Sequence, residues 1–164
     1  MSDLTFRRAR RDDIAAIVAM LADDPLGAAR ETPNDLAPYE TAFALVDANP
    51  NQELVVAECD GQVVGTAHLS FMAGLSHRGM WRAEIEAVRV RTDQRNGGIG
   101  RALIQHCIDL AQERGCGLVQ LTSNVQRADA RRFYERLGFT ASHTGFKLNL
   151  PSPDQDGGEV VLEH

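Results

Sequence analysis

RAEIEAVRV, residues 82–90, cannot be a straight strand with one apolar face. Ala83, Ile85 and Ala87 fall on odd positions with Glu84 and Glu86 between them. Then the phase reverses: Val88 and Val90 are apolar on even positions, alternating with Arg89 and Arg91. Side chains alternate strictly along a strand, so no unbroken strand keeps one face apolar through that reversal. A β-bulge near Ala87-Val88 restores the phase with one extra residue. The other reading is a strand buried on both faces, where phase matters less. The bulge is preferred, because bulges gather beside active sites and leave backbone groups that an extended ligand can take up.

The rest of the chain supplies neighbours for this strand. Residues 4–8 predict a short strand, and Asp12 or Asp13 can cap a helix whose apolar positions are Ile14, Ile17, Val18 and Leu21. A polar connection broken by Pro25, Gly27, Pro33 and Pro38 leads to a second helix over roughly residues 39–47. ELVVAECDGQVVGTAHLSFM reads as a β-hairpin turned by Asp60-Gly61. After the loop AGLSHRGM, residues 81–90 form the fourth strand. A helix over 99–114 ends at Gly115, CGLVQLTS reads as a buried strand, QRADARRFYERL as an amphipathic helix stopped by Gly138, and GFKLNL as a final strand. The order β-α-α-β-β-β-α-β-α-β predicts an α/β fold: a mixed sheet between helices.

Composition narrows the function. At 164 residues and 43% hydrophobic, the chain can bury the core of one domain. Residues 1–150 read as that domain, 151–161 as a flexible tail, and 162–164 as the remnant of a vector-encoded histidine tag. A formal net charge of −6 argues against a nucleic-acid surface. No apolar run approaches the roughly 20 residues that span a membrane, and the first residues carry no signal-peptide stretch. Cys59, Cys107 and Cys116 show no metal spacing and read as reduced thiols of a cytoplasmic protein.

QRNGGIGRALIQHC follows the fourth strand. A glycine-rich turn entering a helix presents unpaired N–H groups at the positive end of the helix dipole. Gly97, Gly98 and Gly100 let a bulky anion approach the backbone, and Arg95 and Arg101 add positive charge. A phosphate or pyrophosphate is the natural guest. No Gly-Lys-Ser/Thr follows, so this is not a Walker loop, and Leu103 stands where a dinucleotide fingerprint needs its third glycine. A glycine-rich helix start with no ligand is the plainer reading of the loop alone.

RNGGIG, Arg95–Gly100, resembles the Arg/Gln-x-x-Gly-x-Gly/Ala loop of the GNAT superfamily of N-acetyltransferases, which binds the pyrophosphate of acetyl-coenzyme A. VRV resembles the end of that family's fourth strand, and ARRFYERLGF resembles its Tyr-Glu-x-Leu-Gly-Phe segment. The resemblance covers residues 4–150. It implies a GNAT-like, mostly antiparallel sheet flanked by helices on both faces, with a bulged fourth strand. It also implies that the backbone of Val88 and Val90 pairs with the pantetheine arm, and that the amides of Arg95, Asn96, Gly97, Gly98, Ile99, Gly100 and Arg101 hold the pyrophosphate. Asn124 would bind the pantetheine or adenosine end, and Tyr134 would protonate the departing thiolate. Arg127 stands where many relatives carry asparagine.

An amine acceptor is mostly protonated at neutral pH, so a base or a water chain must take its proton. Glu84 and Glu86 are the candidates. AEI, Ala83–Ile85, resembles the segment that holds the general-base glutamate of histone acetyltransferases, and Ile85-Glu86 resembles the glucosamine-phosphate acetyltransferases. Both glutamates also fit as solvent-facing strand residues, and Tyr134 fits as a packing partner of Phe133 and Leu137. His68, His77 and His106 are weaker candidates. The sequence thus predicts an N-acetyltransferase that uses acetyl-coenzyme A and no metal, by direct attack of the primary amine of a small molecule or peptide on the thioester carbonyl. A non-catalytic acyl-coenzyme A-binding regulatory module is the alternative, and the resemblance leaves a homodimer open.

Overall fold

Two residues in the left-handed region, Asp60 (φ +50°) and Gly61 (φ +76°), turn the hairpin around which the sheet is built. Positive φ at both central positions matches the right-handed twist of the flanking strands, which is why Asp-Gly serves there. The computed structural model describes residues 3–151, and the chain divides into two units after Asn124. The tail expected at 151–161 lies outside the described residues except for Pro151, and the tag remnant at 162–164 lies wholly outside them.

In the first unit the five strands are β1 (Leu4–Arg8), β2 (Gln52–Cys59), β3 (Gln62–Met72), β4 (Arg82–Val90) and β5 (Leu118–Leu121), in that spatial order. The first four are antiparallel neighbours, and β5 joins β4 in parallel. Between them lie α1 (Ile14–Leu21), the short turn α2 (Pro25–Ala28), α3 (Ala37–Ala48), the short turn α4 (Ser76–Gly79) and α5 (Ile99–Glu113). Successive strand residues point to opposite faces, and the two faces take different helices. Val56 packs with Ile17 of α1, flanked by Leu54 and by Phe43 of α3, while Ala57 and Val64 pack with Ile99 of α5. Leu103, Ile104 and Cys107 of α5 and Leu69 and Ile85 of the sheet are shut off from solvent.

Three expectations are corrected. Asp13 stands at the N-cap of α1 but caps none of its amides. Its buried carboxylate instead accepts Nη1 of Arg7 at 2.7 Å, Nη2 at 3.0 Å and the amide of Arg10 at 2.7 Å. A charge-assisted fork of this kind outcompetes a neutral cap, and the Arg7 bond holds the Asp13 carboxyl below its ordinary range. The strand in CGLVQLTS is not buried: β5 ends the sheet, and Leu118 is 45% exposed. GFKLNL forms no strand. A strand needs a neighbouring edge to satisfy its backbone, and the described residues of the second unit contain none.

That second unit is built on α6 (Ala128–Arg136). Gly138, at φ +96°, takes the left-handed turn that ends it, and the Phe139 amide bonds back to the Tyr134 carbonyl at 3.1 Å.

Candidate active site

The sheet parts along β4. Its pairing with β5 runs only from Arg82 opposite Leu118 to Ile85 opposite Leu121, where β5 ends. From Glu86 to Val90, β4 has β3 on one side and, among the described residues, no strand on the other. The β3–β4 register shifts in this stretch. Thr66 faces Arg89 and His68 faces Glu86, so Ala87 and Val88 together stand opposite Ala67. Ala87 takes φ +50°, a conformation costly for a residue with a Cβ. The Val88 carbonyl accepts Nη1 of Arg89 at 2.8 Å, and the Val90 carbonyl accepts Nε of Arg95 at 3.1 Å.

The glycine-rich loop comes straight off this open edge. A 3-10 turn (Thr92–Gln94) leads to Asn96 at φ +68° and Gly98 at φ +83°. Gly98 is the N-cap of α5, and no side chain caps the helix. The backbone ladder begins with the Ala102 amide on the Gly98 carbonyl at 3.0 Å. The amides of Ile99, Gly100 and Arg101 precede it, at the positive end of a fifteen-residue helix. Arg101 is exposed. The Arg95 guanidinium instead folds onto the end of β4 and lies 3.8 Å from Asp23, which also accepts the Thr92 hydroxyl. Only the backbone of Arg95 therefore belongs to the presented loop.

Glu84 and Glu86 are two residues apart and share a face. Glu84 lies opposite Ser70, half-buried, and its Oε2 accepts Nε2 of Gln120 at 3.2 Å. Glu86 is exposed and lies opposite His68. Sequence reasoning undervalued His68. Its half-buried ring is hydrogen-bonded at Nε2 to Oε1 of Gln52 at 3.0 Å. Burial lowers its pKa, with Glu86 pulling the other way. The signal lay in the hairpin: Thr66, His68 and Ser70 are the polar members of an alternating run, but which residue each one faces depends on register.

Asn124 is exposed beyond the end of β5. In the second unit, the ring of Tyr134 packs edge-on to Phe133 at 5.1 Å and Phe139 at 5.9 Å. His106 stacks on Phe6 at 4.9 Å, and His77 sits exposed in α4 at φ +52°. Burial pushes the Cys107 thiol up to about 12 and raises that of Cys116, so neither is an activated nucleophile. Among the described residues no cluster of three His, Cys, Asp or Glu is placed to hold a metal, and no helix is long and apolar enough to cross a membrane.

The model of the acetyltransferase (GNAT) family matches residues 13–139. The aminoalkylphosphonate N-acetyltransferase of Salmonella typhimurium is 30% identical over 139 residues, 85% of this chain and 84% of its own. The glucosamine 6-phosphate N-acetyltransferase of Trypanosoma brucei brucei is 33% identical over 90 residues, 55% of this chain and 59% of its own. A crystal structure from Bacillus halodurans C-125, described as a transcriptional regulator, superposes with a TM-score of 0.88 at 43% identity, covering 90% of this chain and all (100%) of that one.

Proposed function

The chain belongs to the acetyltransferase (GNAT) family, and from that premise we propose that it moves an acetyl group from acetyl-coenzyme A to a primary amine by direct attack. The observation that carries this is the open edge of β4 running into the amides of the first turn of α5. An extended, amide-bearing arm ending in a pyrophosphate needs both features in that order. On this reading the backbone at Val88 and Val90 pairs with the pantetheine amides. The amides of residues 95–101 bind the pyrophosphate, and Asn124 contacts the coenzyme near its pantetheine or adenosine end.

The coenzyme supplies an acetyl thioester. The chain's own groups do the rest. Glu84 or Glu86 takes the proton of the ammonium, directly or through water, so that nitrogen carries a lone pair to the thioester carbonyl. A backbone N–H near Val88 stabilises the oxyanion. Tyr134 gives its proton to the departing thiolate. Residues 1–150 act as the catalytic domain, and the three free cysteines favour a cytoplasmic setting.

Gly100 tests the pyrophosphate site. Gly98 would be an ambiguous choice, because its positive φ strains any side chain whether or not a ligand binds. Gly100 is helical, and valine there places a branched side chain where phosphate oxygens would touch the backbone. Calorimetry should find acetyl-coenzyme A affinity lowered at least tenfold (about 1.4 kcal/mol) in a folded Gly100→Val variant. Unchanged affinity would remove the pyrophosphate from this loop.

The Bacillus halodurans relative favours a second reading, a coenzyme-binding regulatory module without turnover. It keeps the coenzyme site and gives Glu84, Glu86 and Tyr134 no chemistry.

A further inference from the structure

On the face of the sheet that carries the two glutamates is a half-open cavity of about 190 Å³. Ile17, Val18 and Leu21 of α1 and Ala42, Phe43 and Val46 of α3 form most of its wall. Leu54, Thr66, His68 and Ala87 contribute from the sheet. An engineered cavity of roughly 150 Å³ with comparable lining holds benzene, so this one has room for a group of that size.

Three polar groups in the wall are already engaged. The Thr66 hydroxyl donates to the Val55 carbonyl at 3.0 Å. The Tyr39 hydroxyl donates to Glu31 at 2.9 Å and accepts the Thr32 amide at 2.8 Å. His68 is tied to Gln52. Among the described residues no lysine or arginine lines the cavity. Arg89, whose strand position faces Thr66, interacts with the carboxylate of Glu31. An anionic head group entering here would leave water and meet no lysine or arginine among the described lining residues.

The negative charge sits where an amine would need it. Glu86 lies opposite His68, and the next residue, Ala87, is part of the wall. A molecule with an apolar body in the cavity would hold an ammonium group toward that carboxylate, on the strand that carries the open edge. We propose that this cavity seats the body of the acceptor, so that the protein acetylates a primary amine bearing an aliphatic or aromatic group and discriminates against phosphate- and phosphonate-bearing amines. The proposal rests on the acetyltransferase reading above. It separates this chain from its similarity to enzymes named for an aminoalkylphosphonate and a phosphorylated amino sugar.

The test compares ethylamine, 2-phenylethylamine, 2-aminoethylphosphonate and glucosamine 6-phosphate as acceptors for the full chain with acetyl-coenzyme A, at matched concentrations of free amine. The expected kcat/KM for 2-phenylethylamine exceeds that for ethylamine roughly tenfold or more, the scale on which apolar pockets discriminate. The two anionic amines should fall below ethylamine. Ala42→Phe fills the cavity from an exposed helix position and should collapse the preference for 2-phenylethylamine over ethylamine. A preference for either anionic amine would overturn the proposal while leaving the acetyltransferase reading intact. So would a 2-phenylethylamine preference that survives in folded Ala42→Phe. Turnover of none of the four is decided by calorimetry with 2-phenylethylamine: binding that Ala42→Phe abolishes keeps the cavity as an apolar amine site, and no binding overturns the proposal while leaving the acetyltransferase reading to the broader amine panel.

Discussion

Tyr134→Phe should lower turnover by roughly 10²- to 10⁴-fold, the usual contribution of a positioned acid, with coenzyme affinity barely changed. The substitution removes one hydroxyl and keeps the ring. The ring makes the edge contacts to Phe133 and Phe139, so the packing of α6 against the segment after Gly138 survives. A thiolate is a better leaving group when a proton meets it, and phenylalanine cannot supply one. The measurement is steady-state turnover beside the acetyl-coenzyme A dissociation constant of the same preparation. Wild-type turnover in the folded variant would return Tyr134 to packing alone.

Glu84→Gln and Glu86→Gln should separate from each other. Glutamine keeps the shape of each side chain and removes its basicity. If Glu84 takes the acceptor's proton, kcat/KM of Glu84→Gln should fall by roughly 10²- to 10⁴-fold at low pH, where unprotonated amine is scarcest. The deficit should shrink as pH rises toward the amine's own pKa, because more acceptor then arrives as free base. Glu86 is the more exposed of the two and lies beside the cavity wall. If it only holds the ammonium before transfer, Glu86→Gln should raise the acceptor's KM with kcat little changed. A pH–rate profile of each variant reads both effects. Equal, pH-independent losses would assign the proton to a water chain, and full activity in both would place the glutamates outside the site.

The local signals in the sequence were those with a backbone cause. Asp60-Gly61 announces its turn because few other pairs tolerate positive φ twice in succession. The glycine-rich run announces the start of α5 for a similar reason at Gly98. The phase reversal in RAEIEAVRV marks the residues where the β3–β4 register shifts. What stayed hidden depends on partners distant in the chain. Ile14, Ile17, Val18 and Leu21 read correctly as the apolar positions of a helix, the first three buried and Leu21 half-buried, but periodicity cannot tell a filled core from one with a cavity against α3. His68 and Glu86 are eighteen positions apart, and only the register brings them face to face. Residues 145–150 show the opposite failure. Phe146, Leu148 and Leu150 alternate as a strand should, yet they are exposed and unpaired in sheet terms, because alternation supplies a face and not an edge.

Thiol release from acetyl-coenzyme A across a broad panel of primary amines, with the product's mass measured in parallel, is the most direct test of acetyl transfer. The expected result is release that depends on the amine, saturates with it, and matches one acetyl group gained per thiol freed. Saturable coenzyme binding with no amine-dependent release anywhere in the panel would contradict catalysis and leave a coenzyme-binding regulatory module.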